Sequence, residues 1–161
     1  MEDVITNILK FQISELTKER IVIAIRWGCM ALFFYTAYAK IIDHHRFLRG
    51  LMRVHLISTS AAFISIAVPI VEIIVSLLLL IPKTAKFGLC CFVTVMTGFT
   101  LYIISALIWE KNLPCNCGGA IEKLSWIQHI WFNVAFILIA ICAIWLTNLR
   151  ITSNLKQNEK F

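Results

Sequence analysis

Cys115 and Cys117, one residue apart in the run Leu113-Pro-Cys-Asn-Cys-Gly-Gly119, are the side chains of this sequence best placed to do chemistry. Thiol–disulfide exchange needs an accessible thiolate and a second sulfur near enough to close a ring, and this spacing meets the second condition by sequence alone. Their disulfide would enclose a small, strained ring. Strain makes such a bond easier to reduce, which suits a relay better than a permanent staple. Gly118 and Gly119 allow the backbone conformations that a tight loop needs. Two other uses stand beside this one. The thiolates could hold a soft ion such as Cu(I) or zinc with His44, His45, His55 or His129, although no second cysteine pair or regular histidine spacing accompanies them. They could also simply brace a loop in a scaffold subunit.

Other reactive groups lie inside apolar stretches. Ser125, His129 and Asn133 share a helical face at i, i+4 spacing just after the cysteine loop. A helix N-terminus and a nearby imidazole both favour a thiolate, so His129 could act on the cysteines or on a quinone beside them; the commoner use of such a stripe is helix packing. Glu72 stands in an apolar run where a charge is costly, and Arg26 is the basic residue expected to pair with it, either structurally or in a proton or quinone role. Lys40, with Asp43 close behind, reads as an anchor that snorkels to the membrane surface. Cys29, Cys90, Cys91 and Cys142 fall in the other half of their spans, too far from Cys115 and Cys117 for direct exchange, and read as small apolar residues.

The elements that must position these groups are membrane helices. Apolar residues make up 60% of the 161-residue chain and charged ones 15%, and the apolar excess comes in blocks rather than alternating. Four blocks are long enough to cross a bilayer: 21–42, 56–81, 85–109 and 125–147. Lipid leaves backbone polar groups no partner but each other, so an all-α four-helix bundle is expected. Pro82, Pro114 and Gly118–Gly119 separate the blocks, and Ser125 can cap the last. Residues 43–55 read as an amphipathic interfacial helix, with Phe47, Leu48, Leu51 and Met52 opposite Arg46, Arg49 and Arg53; residues 1–20 read similarly, with no cleavable signal. Residues 148–161 form a polar tail. With four spans, the side carrying both termini holds eight basic residues against six on the other, which puts the termini in the cytoplasm and the cysteine loop outside, where a disulfide can persist. The net charge of +6 suits anionic lipid rather than nucleic acid, since no basic stripe is interleaved with aromatics.

The order Cys115-x-Cys117-x-Gly119 followed by Leu124-Ser125-Trp126, with Ala39-Lys40-Ile-Ile-Asp43 and Pro69-Ile-Val-Glu72 earlier, resembles the MauE branch of the DoxX-like membrane proteins. The resemblance spans roughly residues 21–147, and the cysteine loop is its most specific part. The family often has Phe before the glycine where this chain has Gly118. The resemblance implies a four-helix inner-membrane protein. MauE itself is associated with maturation of the disulfide-rich small subunit of methylamine dehydrogenase, alongside a thioredoxin-like partner. Carried to this chain, it implies redox assistance to an exported client through a thioredoxin-like periplasmic protein, with Cys115 and Cys117 as the redox centre. These residues specify no cofactor, though a quinone could take the electrons onward.

Overall fold

The computed structural model describes residues 15–54, 57–109 and 125–158. Five α-helices occur among them: α1 Glu15–Ile42, α2 His44–Met52, α3 Ala61–Leu80, α4 Ala85–Trp109 and α5 Trp126–Asn158, with a short 3₁₀ turn at Ser58–Ser60. Four are long and apolar enough to cross a membrane, over Thr17–Ile42, Ser58–Leu80, Ala85–Ile108 and Trp126–Leu149. The expected all-α multi-pass bundle is therefore present. The helices run alternately up and down. α3 packs on α1 and α4, and α5 packs on α4 and α1, so successive spans are neighbours and the ring closes. One end of the bundle carries the α3–α4 turn. The other, here the loop end, carries the end of α1, helix α2, the end of α4 and the start of α5.

Lipid tails are as apolar as leucine, so packing rather than water exclusion holds such helices together. Close approach comes from small residues: a Cβ on Gly88 would meet the backbone N of Leu79 at 3.0 Å and the carbonyl carbon of Leu78 at 3.1 Å. Ala37, Ala140 and Ala143 are likewise buried between helices. Around them pack Cys29, Phe33, Val75, Leu79, Leu89, Phe92 and Met96. Phe33 and Phe92 stack with ring centroids 4.4 Å apart, and Phe92 meets Phe136 at 6.5 Å. The large outward side chains, Phe34, Phe63, Trp131 and Leu138 among them, form the surface that lipid would cover. Four threonine hydroxyls within the spans turn back on their own helix. Thr94, Thr97, Thr100 and Thr147 each donate to the carbonyl four residues before, which satisfies those donors without a partner from lipid.

Two boundaries differ from the sequence expectation. α1 begins at Glu15 rather than residue 21, and α5 runs on to Asn158 through the segment read as a tail. No Gly or Pro interrupts either extension, so nothing in the chain stops the helix where the apolar run does. The amphipathic helix α2 is present, and it packs on α3 as well as presenting a basic face. Leu51 is buried and Phe47 and Leu48 are half-buried, whereas Met52 faces outward with Arg46, Arg49 and Arg53. The amphipathic reading of residues 1–20 falls mostly outside the described residues.

Candidate functional site

α1 and α3 are antiparallel, and two contacts fix their register. The Ser76 hydroxyl lies 3.4 Å from the Met30 carbonyl oxygen, and the Thr36 hydroxyl donates to Glu72 Oε1 at 3.1 Å. Lys40, one turn beyond Thr36 on the same face of α1, reaches the same carboxylate oxygen with Nζ–Oε1 2.6 Å. Its ammonium also lies 5.3 Å from the Phe99 ring centroid on α4 and 5.8 Å from that of Phe47 on α2. Both are cation–π distances. Four elements thus converge on one amine.

This corrects the expected pairing of Glu72 with Arg26. Arg26 precedes Thr36 by ten residues, about 15 Å along the helix, and in this register it stands opposite the α3–α4 turn. Among the described residues it makes no ion pair. Lys40 in turn is not a snorkelling anchor. The fold of α2 over the end of α1 brings Phe47 above it, and its side chain is only 12% exposed. Depth explains why the pairing is required. Glu72 sits about 12 Å from the Leu80 end of α3 and about 17 Å from the Ala61 end, close to the middle of the span. An unpaired carboxylate there would be costly, and the carboxylate is buried, its side chain 1% exposed.

One valence is left over. Glu72 Oε2 is buried with no hydrogen-bond partner among the described residues, while Oε1 takes both Lys40 and Thr36. The Lys40 ammonium, with three hydrogens, donates to a single oxygen among the described residues. The site therefore holds an unfilled acceptor and unfilled donors within one side-chain length.

At the loop end, Ser125 and Gln128 cap α5 reciprocally. The Ser125 backbone N–H donates to Gln128 Oε1 at 2.8 Å, and the Gln128 N–H donates to the Ser125 hydroxyl at 3.3 Å. The cap expected of Ser125 is thus formed, and its partner completes a capping box. One turn on, His129 is half-buried, and Asn133 beyond it is buried.

Cys115 and Cys117, the candidate redox pair, lie outside the described residues, as does His55. The connection that carries them joins the end of α4 to the capped start of α5. Cys29 is fully buried in the core, Cys91 is half-buried, and Cys90 and Cys142 are on the outer surface, all as free thiols. Along their helices they stand about 20–30 Å from the loop-end helix termini. No group of three His, Cys, Asp or Glu side chains suited to a metal occurs among the described residues.

The sequence reading missed Thr36 and the two aromatic neighbours of Lys40. A signal for the first was available, since Thr36 and Lys40 are four residues apart and face the same way. The Phe47 and Phe99 contacts come from distant elements and carry no local signature.

No curated protein and no solved structure matches the chain. A family model does, over residues 18–146, which takes in nearly all of the four spans, the Lys40–Glu72 pair and the cysteine loop, so the chain belongs to the family of methylamine utilisation protein MauE.

Proposed function

We propose that the protein is an inner-membrane thiol–disulfide relay or assembly factor in which Cys115 and Cys117 are the redox centre. Membership of a methylamine utilisation family supports a part in that process broadly, and the relay is the finer reading. The observation that carries it is the segregation of the cysteines. One pair belongs to the connection between α4 and α5, and the other four thiols lie within the spans, toward the end that carries the α3–α4 turn. The charge bias puts the termini in the cytoplasm and this loop on the oxidising side. A thioredoxin-like periplasmic protein is the exchange partner, and an exported disulfide-containing protein is the client.

In the oxidising direction, a client thiolate attacks one sulfur of the Cys115–Cys117 disulfide and the other sulfur leaves as thiolate. A second client thiolate then resolves the mixed disulfide. The client ends with one disulfide and the loop with two thiols, which the thioredoxin-like partner reoxidises by the same exchange. The start of α5 and the His129 imidazole both favour the leaving thiolate. The test is a pair of variants. Changing Cys29, Cys90, Cys91 and Cys142 together to Ala should leave the oxidation state of exported proteins unchanged. Changing Cys115 and Cys117 to Ser should leave a set of them reduced while the membrane level of the protein holds. Normal oxidation in that double variant overturns the relay.

A further inference from the structure

We propose that the Lys40–Glu72 pair is a binding site for the ring oxygen of a lipid-soluble quinone. Three observations converge. Glu72 Oε2 is a buried acceptor with no donor among the described residues, and the adjacent Lys40 ammonium has hydrogens to spare. The rings of Phe99 and Phe47 flank that ammonium at 5.3 and 5.8 Å, so its surroundings are aromatic as well as charged. The pair is close to mid-span, and Lys40, at 12% exposure against 1% for Glu72, is the less enclosed of the two.

Depth and charge narrow the ligand. An anion or a cation is disfavoured because the pair is already neutral as a unit, and neither crosses hydrocarbon cheaply. Ester carbonyls and headgroups of ordinary lipids stay at the edge of the hydrocarbon core, about 15 Å from its centre. What remains is a neutral oxygen on an apolar body, or a single water. A quinone carbonyl accepts from the Lys40 ammonium. The hydroxyl of the quinol can donate to Glu72 Oε2, so both oxidation states find a partner in the same two side chains. This binding is independent of the thiols; only its use as their electron acceptor rests on the relay reading. There the quinone takes the place of the thioredoxin-like partner as oxidant, and the balance closes: two thiols forming one disulfide give up two electrons and two protons, and one quinone takes up both in becoming the quinol.

The experiment uses the full chain in lipid nanodiscs, photolabelled with an azido-substituted short-chain ubiquinone and challenged with unlabelled decylubiquinone. Labelling should saturate, be displaced by the competitor and map to peptides containing Lys40, Phe47 or Phe99. In K40M/E72Q, folded by size-exclusion and circular dichroism, displaceable labelling should fall by at least about tenfold, the loss expected of one hydrogen bond to a charged group. Should that variant not fold, Phe99→Leu keeps the ion pair and removes one ring, and it should weaken displacement several-fold. C115S/C117S should label as wild type, so that failure of the relay and failure of this site are distinguishable. Labelling that does not saturate, that is equal in K40M/E72Q, that is unchanged in Phe99→Leu, or that vanishes in C115S/C117S overturns the proposal; the first two leave the pair holding at most a single water.

Discussion

Removing either member of the Lys40–Glu72 pair should destabilise the bundle far more than removing both. At an Nζ–Oε1 separation of 2.6 Å, the gross attraction is about 6 kcal/mol for an effective dielectric near 20. Desolvation offsets much of that, so the net worth of the pair against apolar residues of similar volume is small. Losing one partner is different, because it strands a charge near mid-membrane at a cost of about 3–5 kcal/mol unless the survivor neutralises. Lys40→Met and Glu72→Leu should each fall in or just below that range, and the double variant should recover about 2–3 kcal/mol of the summed loss. Arg26→Met with Glu72→Leu is the control, since about 15 Å of helix separates Arg26 from Thr36. Its losses should be additive within about 0.5 kcal/mol. The assay is reversible unfolding in mixed micelles, followed by helical circular dichroism against the mole fraction of denaturing detergent. Additive losses for Lys40 and Glu72, or coupling of 2 kcal/mol or more between Arg26 and Glu72, would refute the register argued from Thr36 and Ser76.

Three further outcomes are expected. Gly88→Ala should cost about 1–3 kcal/mol in the same assay, because its Cβ meets the α3 backbone at 3.0 Å, while Gly98→Ala, with nothing within 4 Å, should be neutral or up to about 1 kcal/mol stabilising. Ser125→Ala should cost about 1 kcal/mol through the lost cap, read as faster amide exchange confined to the first turn of α5. A membrane-impermeant maleimide applied to intact cells after reduction should label Cys115 or Cys117; labelling only after permeabilisation would reverse the orientation.

Span number and type were legible because block length alone decides them in lipid, where a helix is the only solution for apolar runs of this size. That Glu72 must be paired was legible for the same reason. Its partner was not, because the register between α1 and α3 is a property of two surfaces rather than of either sequence. Lys40 illustrates the gap most clearly. Its nearness to the end of an apolar run predicts snorkelling, yet α2 folds back so that Phe47 covers it, and the shortest path for the amine is inward to Glu72. Helix α2 itself was visible from its facial pattern, and so was the Ser125 cap. The extensions of α1 and α5 were not, because hydropathy marks where lipid ends and not where hydrogen bonding does.

The relay reading is tested most directly at the sulfurs. With Cys117 changed to Ser, Cys115 keeps its attacking or accepting sulfur but has no neighbour to resolve a mixed disulfide. Membranes quenched with acid and alkylated before non-reducing electrophoresis should then show the protein in a reducible adduct with a second protein of the exported fraction. The adduct should vanish when Cys115 is also changed, and persist when Cys29, Cys90, Cys91 and Cys142 are Ala. A Cys117→Ser protein that stays monomeric, with Cys115 fully alkylated under growth conditions in which the wild-type pair is oxidised, would contradict the account and leave the cysteines as a brace for their loop.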